Sequence, residues 1–166
     1  GDDDGRSSLA IPARAGINLP NAGRLGFTLR RTGSTTDYDP RDQSVDTEEL
    51  AGAITFDMPF WEDRANLSAQ MGYAQVERDY DSTFGPFDYL GERRFARAQV
   101  DVDANDWNTL TFGVEYERYA GSGTFQAQIS NSIGSIFGLW EMRPADWLTI
   151  TGGLRNDAHS QFDNNL

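Results

Sequence analysis

The chain has 166 residues and a net charge of −12, it lacks cysteine, and all 14 of its basic residues are arginine. Nucleic-acid binding needs a positive surface and a membrane helix needs roughly 20 apolar residues in a row, so composition and hydropathy exclude both classes. The lack of cysteine excludes disulfides and thiolate–metal sites. Instead, 17 glycines and 12% aromatic residues favour an all-β chain.

Apolar and polar residues alternate with a period of two through most of the chain, as they do in strands with one apolar face. In the last predicted strand Leu148, Ile150 and Leu154 share one face, and Thr149 and Thr151 share the other. In chain order the predicted strands cover residues 9–19, 24–31, 48–59, 64–76, 93–103 and 107–119, a poorly alternating segment near 136–142, and a strand from 148 onward.

The connections between these strands are alternately short and long. Turn signals at 20–23, 61–63, 104–106 and 143–146 predict four tight turns. The polar segments 32–47, 77–91 and 120–132 predict three long loops. The pattern therefore predicts four hairpins in an up-and-down order. Pro12 removes a backbone donor, which predicts that the first strand lies at a sheet edge or is irregular at that point.

Strand length and aromatic placement favour an antiparallel up-and-down transmembrane β-barrel of about eight strands. Segments of about 9 to 13 residues can cross a bilayer at a tilt. The polar face carries charged and amide side chains throughout, as a wet interior would. Aromatic residues at the short turns are the predicted membrane-interface residues: Phe60, Trp61, Trp107 and Trp147.

Periodicity alone does not distinguish the inside of a barrel from the outside. A soluble lipocalin-like ligand-binding barrel has the same strand pattern with its apolar face turned inward. A self-contained eight-stranded outer-membrane protein with a structural or adhesive role is a second alternative. Both alternatives stay open at this point.

Acidic side chains concentrate near the start of the chain and in the next loop. Hard oxygen ligands on loops suit Ca²⁺, which takes six to eight oxygens. Simple solvation, or bridging to lipopolysaccharide through divalent ions, is the alternative. The candidate metal ligands are Asp2, Asp3, Asp4, Asp37, Asp39 and Asp42.

Aromatic residues in or beside the long loops are candidates for stacking against a bulky ligand. Packing within the loops, or a place in the outer aromatic girdle, is the alternative. The candidate ligand-binding residues are Tyr80, Phe84, Phe87, Tyr89 and Tyr119.

Two other patterns have structural interpretations. Asp157, His159 and Ser160 lie too close together on one extended strand to converge as a hydrolase triad, so the sequence predicts no enzyme. Arginines on the polar face are predicted to form ion pairs with carboxylates across a wet interior. The arginines are Arg14, Arg24, Arg30, Arg64, Arg97 and Arg155, and the carboxylates are Glu49, Asp57, Asp101, Glu115 and Glu117.

The segment TITGGLRNDAHSQF at 149–162 resembles a strand of the TonB-dependent outer-membrane receptors, the cobalamin receptors in particular. The runs GDDDG, TTDYDP, RDYDSTFGPFDYLGERR and LTFGVEYERYAGSG occur in a similar order, as looser matches. The resemblance implies that residues 1–166 are a single middle section of a plugged barrel of about 22 strands. The plug domain, the TonB-binding box and the closing strand of such a barrel are not found in the sequence.

The function that this resemblance implies belongs to the parent receptor. It is uptake of a nutrient such as cobalamin or a siderophore across the bacterial outer membrane. The implied partners are outer-membrane lipid and lipopolysaccharide, the nutrient, and TonB through parts absent from this sequence. The resemblance also implies acidic loops that bind calcium. Neither the ligand nor the oligomeric state is predicted.

Overall fold

The protein is described by a computed structural model that covers residues 5–38, 43–82 and 85–160. Its secondary structure consists of eight strands. They are β1 (Arg6–Asn18), β2 (Arg24–Tyr38), β3 (Gln43–Phe60), β4 (Ala65–Asp81), β5 (Phe87–Asn105), β6 (Asn108–Gly123), β7 (Gln126–Ala145) and β8 (Leu148–His159).

The strands form one antiparallel sheet in the order β1-β2-β3-β4-β5-β6-β7-β8. Each strand pairs with its sequence neighbours, so the predicted up-and-down order and the four hairpins are confirmed. Within the described residues β1 and β8 do not pair with each other, and the sheet is open. The edge position that Pro12 predicted for the first strand is also confirmed.

The three long loops predicted at 32–47, 77–91 and 120–132 are wrong in their extent. Pairing continues to Tyr38↔Gln43, Tyr80↔Phe87 and Gly123↔Gln126. Most of each predicted loop is therefore β-hairpin. Polar composition was misleading because the strands keep alternating there, with Thr, Val and Tyr as good strand formers.

Two short turns are also displaced from their predictions. The turn predicted at 104–106 lies later, because β5 continues to Asn105 and β6 begins at Asn108. The turn predicted at 143–146 lies later, because β7 continues to Ala145 and β8 begins at Leu148. The register shifts between Met142 and Ala145, which accommodates Pro144 in an irregular strand end. The turn at 61–63 is as predicted, and Trp61, Glu62 and Asp63 all have positive φ, between 55° and 63°.

The sheet has no hydrophobic core of the usual kind. Ala65 is the one buried apolar residue in the described part of the chain. Most of the exposed large apolar side chains lie on one face instead, for example Met71 at 57%, Val114 at 52% and Ile136 at 62%. We call the uninterrupted run of apolar residues on this face, together with the glycines between them, the apolar belt; on each strand it ends at the first polar residue. Its outermost members, from β1 to β8, are Leu9, Leu29, Leu50, Tyr73, Ala96, Tyr116, Ile136 and Leu154.

The apolar belt runs obliquely across the sheet. Leu9 lies in the hydrogen-bonded row that reaches Leu90 of β5, whereas Leu154 lies in the row that reaches Val100. The belt thus shifts by ten residues (100 − 90) over the seven steps between eight strands. At about 3.3 Å per residue and about 4.8 Å per strand, this slope corresponds to strands tilted by about 45°. Membrane barrels have strand tilts of about 35–45°.

The polar face contains close contacts between aromatic side chains and glycines. A Cβ on Gly113 would clash with the Phe137 ring, and one on Gly72 would lie 2.5 Å from the Phe95 ring. These rings cover cross-strand glycines, a known way of stabilising glycine within a sheet. Phe137 therefore has a polar-face role, which explains why the segment near 136–142 alternates poorly.

Candidate functional site

The side chains at the far end of β4–β7, away from the short turns, form an aromatic groove on the polar face. Tyr80 and Phe87 are directly paired across β4 and β5, with ring centroids 4.4 Å apart and planes inclined by 8°. The Phe125 ring lies 6.2 Å from Phe87. Tyr89 and Tyr119 line the same groove, which has a volume of about 1060 Å³. Stacked rings of this kind offer a flat apolar surface.

Two hydrogen bonds between Asp88 and Thr124 fix the position of the adjacent Phe125 in the groove. The Asp88 N–H donates to Thr124 Oγ1 (3.0 Å), and the Thr124 N–H donates to the Asp88 carbonyl oxygen (3.2 Å). These bonds hold the β6–β7 hairpin end against β5. Phe125 itself is 86% exposed, so its ring is accessible to a ligand.

Two arginines border this groove. Arg78 is directly opposite Tyr89 in the β4–β5 register and lines the groove. Arg93 forms an ion pair with Glu117, and its guanidinium carbon lies 5.8 Å from the Tyr119 ring centroid and 5.2 Å from that of Phe95. Asp88 and Glu92 line the groove as well, so it combines aromatic surface with charged groups of both signs, an arrangement that can hold a bulky polar ligand.

The structure brings most of the predicted ligand-binding residues together in this groove. Tyr80, Phe87, Tyr89 and Tyr119 all line the groove, while Phe84 lies outside the described residues. Sequence reasoning missed Phe125. The signal that could have found it is its place between two alternating segments, at the tip of a hairpin that composition assigned to a loop.

Nearer the middle of the polar face, Arg155 is the centre of a hydrogen-bonded network. Its guanidinium contacts Glu115 Oε2 (2.8 Å), Asp157 Oδ1 (2.8 Å) and Ser135 Oγ (2.9 Å). Ser135, which is 5% exposed, also donates to Asp157. This network joins β6, β7 and β8 and stabilises a polar interior.

The predicted ion-pair partners are mostly wrong. Of the predicted arginines, Arg155 alone bridges one of the predicted carboxylates among the described residues, namely Glu115. Glu117 pairs with Arg93, and Asp57 accepts a hydrogen bond from Ser68. The reason is register, because sequence order does not show which residues become diagonal neighbours across strands. Among the described residues, the other predicted arginines bridge none of the predicted carboxylates. They are Arg14, Arg24, Arg30, Arg64 and Arg97.

Arg64 belongs to the short-turn end of the sheet. It donates to the carbonyl oxygens of Asp103 (3.2 Å) and Ala104 (2.8 Å), and it lies 5.7 Å from the Trp61 ring centroid. It thereby ties the β3–β4 turn to the β5–β6 turn.

The predicted interface aromatics are all exposed at the short-turn end of the sheet, with Phe60 at 40%, Trp61 at 61%, Trp107 at 51% and Trp147 at 83%. Their role at a membrane interface stays a prediction.

The predicted calcium site cannot be built from the described residues. Asp2, Asp3, Asp4, Asp39 and Asp42 lie outside them. Asp37 is described, and its N–H donates to the Gly5 carbonyl oxygen (2.9 Å). Within residues 5–38, 43–82 and 85–160, no group of three or more acidic or histidine side chains could hold a metal ion. Calcium binding stays a prediction.

Asp157 and Ser160, which lie on either side of His159 in the sequence, belong to different hydrogen-bonded groups. Asp157 bonds to Ser135 and Arg155, whereas the Ser160 hydroxyl accepts from the Ser132 N–H (2.9 Å) and donates to Asn131 Oδ1 (3.0 Å). The serine and the carboxylate thus serve separate structural networks.

Within residues 5–38, 43–82 and 85–160, no helix is long and apolar enough to cross a membrane.

Solved structures share this fold. The chain is similar to the Serratia marcescens hemophore receptor HasR, solved with its hemophore HasA and heme (TM-score 0.74, 19% identity, 92% of this chain and 24% of that one). It is also similar to the siderophore receptor PirA from Pseudomonas aeruginosa (0.82, 14%, 96% and 29%) and to the outer membrane transporter YddB from Escherichia coli (0.71, 12%, 93% and 28%).

These likenesses concern the fold. The chain spans 24–29% of the length of these three proteins, and its eight strands superpose on a section of each. The sequence matches no protein-family profile and no curated protein. The predicted all-β, antiparallel up-and-down fold, as a section of a larger barrel, is confirmed.

Proposed function

We propose that this chain is a section of the transmembrane barrel of a TonB-dependent receptor in the bacterial outer membrane. The oblique apolar belt carries this proposal. Soluble monomers rarely expose contiguous apolar patches larger than a few hundred Å². A belt on one face, with the slope expected of tilted membrane strands, fits contact with lipid.

The open sheet also bears on the two alternatives. A lipocalin-like barrel buries its apolar face inside a closed wall, and a self-contained eight-stranded barrel pairs its first strand with its last. Neither arrangement fits a sheet in which, over the described ranges, β1 and β8 are unpaired. An unpaired edge needs another strand or a cover, so the section fits a larger barrel.

The proposed activity is capture of a small nutrient, such as cobalamin or a siderophore, at the aromatic groove. Tyr80, Phe87 and Phe125 provide stacking surface, and Arg78 provides a guanidinium for a negative group of the ligand. The three similar proteins include receptors that bind a hemophore and a siderophore, which supports the class of ligand. Release into the cell requires a plug and the TonB complex, which belong to the proposed parent.

A binding experiment tests the groove. The 166-residue chain in detergent micelles is dialysed to equilibrium against cyanocobalamin and, separately, against a ferric catecholate. We expect one of them to bind, and the substitution Phe87→Ala to weaken binding about tenfold because a stacking partner is lost. Tyr116→Ala is the matched control, since Tyr116 lies on the apolar belt. Equal weakening by both substitutions, or no binding of either probe, would overturn the proposed ligand site.

Calcium is proposed as an accessory ligand of the acidic residues Asp2, Asp3, Asp4, Asp37, Asp39 and Asp42. Carboxylate oxygens are hard ligands of the kind that this ion prefers. The check is thermal unfolding in micelles with CaCl₂ and with EDTA. A higher midpoint with calcium, lost when Asp37 and Asp39 are changed to asparagine, supports the proposal. An unchanged midpoint contradicts it.

A further inference from the structure

Charged side chains are unevenly distributed over the polar face of the sheet. On this face the described strands β1 and β2 carry four arginines and no carboxylate, whereas β5 to β8 carry six carboxylates beside their arginines. The arginines of β1 and β2 are Arg6, Arg14, Arg24 and Arg30, and the carboxylates of β5 to β8 are Asp101, Asp103, Glu115, Glu117, Glu141 and Asp157. The β1–β2 part of the polar face is therefore basic.

Two of these arginines are diagonal neighbours on adjacent strands. Arg14 of β1 is opposite Thr28, and Arg30 of β2 is opposite Pro12, two residues before Arg14. Diagonal neighbours have Cβ atoms about 7 Å apart, a distance that long side chains can span. Both arginines are exposed, so their guanidinium groups can converge on one acceptor between the strands.

The protein does not neutralise this pair. In the part of the chain that the structure describes, no acidic side chain lies within 4.0 Å of either guanidinium. Glu49 of β3 is diagonal to Arg30, because it is opposite Thr32, and it forms no ion pair with it. The Arg30 Nε–H donates to Thr32 Oγ1 (3.2 Å), which orients the guanidinium and leaves its terminal N–H groups for another acceptor.

The residues beside the pair are small or carry a hydroxyl group. Pro12 is opposite Arg30 on one side, and Ala51 of β3 is opposite it on the other. Thr28 lies opposite Arg14 and two residues from Arg30, so its hydroxyl is a further donor between the two arginines. Small neighbours leave room for a ligand beside the guanidinium groups.

The arginines of β5 to β8 are in a different position. Arg155 contacts Glu115 and Asp157, and Arg93 contacts Glu117. An added anion would compete with these carboxylates and would be repelled by them. The β1–β2 part of the polar face thus attracts an anion, whereas the β5–β8 part disfavours one.

We propose that Arg14 and Arg30 form an oxyanion-binding site on the interior wall of the barrel, for a phosphate or carboxylate group of a small solute. A guanidinium binds such a group through two parallel hydrogen bonds, and two guanidinium groups match the charge of a dianion. The inference rests on the proposed barrel function, which places the polar face inside. It goes further by assigning a second ligand site, on strands that do not line the aromatic groove.

The test uses the 166-residue chain refolded in dodecylmaltoside micelles. Calorimetric titration with inorganic pyrophosphate and, separately, with tricarballylate distinguishes a phosphate ligand from a carboxylate ligand. We expect at least one of these anions to bind, and R14Q/R30Q to weaken its binding about tenfold because charged donors are lost. The control R97Q/R143Q removes two positive charges from β5 and β7 and should leave the affinity unchanged.

A second variant separates geometry from charge, and circular dichroism checks that each variant keeps its β-sheet. R14K/R30K retains both charges but loses the planar fork, so it should weaken binding a few-fold. Equal weakening in R97Q/R143Q, unchanged binding in R14Q/R30Q, or a folded chain that binds neither anion would overturn the site and leave the barrel function standing. An unmodified chain that does not fold in micelles would contradict the barrel function itself, and this inference with it.

Discussion

The two faces of this sheet are stabilised in different ways. On the polar face, Arg155, Glu115, Asp157 and Ser135 satisfy one another, and Phe137 covers Gly113. On the apolar face many large belt residues are exposed, among them Met71, Val114 and Ile136. The difference indicates that the polar face is complete in water, whereas the apolar face needs a non-aqueous medium.

The most direct way to break this contrast is to place a charge on the belt. Val114→Arg introduces arginine near the middle of the belt on β6, where we expect a loss of about 2–4 kcal/mol in the free energy of unfolding in micelles. Urea titration followed by circular dichroism measures the loss. Gln70→Arg adds the same charge at a similar depth on the polar face and should cost much less. Equal losses would contradict the assignment of the faces.

A smaller effect is expected from overpacking the polar face. A side chain at Gly113 would clash with the Phe137 ring, whereas a Cβ at Gly134 meets nothing within 4 Å. Gly113→Val should therefore lower the free energy of unfolding by about 1–3 kcal/mol, and Gly134→Val should change it little. If the two variants unfold alike in urea, Phe137 does not pack on Gly113 as described.

The smallest of these effects concerns one hydroxyl. Ser135→Ala removes a hydrogen bond to Asp157 and the acceptor for Arg155, at an expected cost of about 1–2 kcal/mol in unfolding free energy. Ser130→Ala on the same strand is the control, because Ser130 is exposed. Thermal unfolding in micelles compares them. A more stable Ser135→Ala variant would show that the network does not stabilise the polar face.

The same contrast explains what the sequence could predict. Alternation revealed the strands, their order and their apolar face, since a period of two is set by backbone geometry alone. It failed where Phe137 occupies the polar face, because the ring contacts a glycine on another strand. Ion pairs such as that of Arg93 with Glu117 depend on the register of the strands, and hairpin length determines that register. The hairpin lengths were not apparent from the sequence, because polar composition made residues 32–47, 77–91 and 120–132 resemble loops.

The candidate groove was predicted in part for a related reason. Tyr80, Phe87, Tyr89 and Tyr119 were found as aromatics amid polar residues. Their convergence on one face follows from strand extension, which the sequence analysis did not predict. The convergence of Arg14 and Arg30 was missed, because only the register makes them diagonal neighbours.

The central claim is that the apolar belt faces lipid, and detergent dependence tests it most directly. The 166 residues are examined by circular dichroism and by heat-modifiable gel migration, with and without micelles. We expect a folded, heat-modifiable β-protein in detergent only. A monodisperse β-protein in plain buffer would mean that the apolar belt is turned away from solvent within the protein, and it would contradict the account.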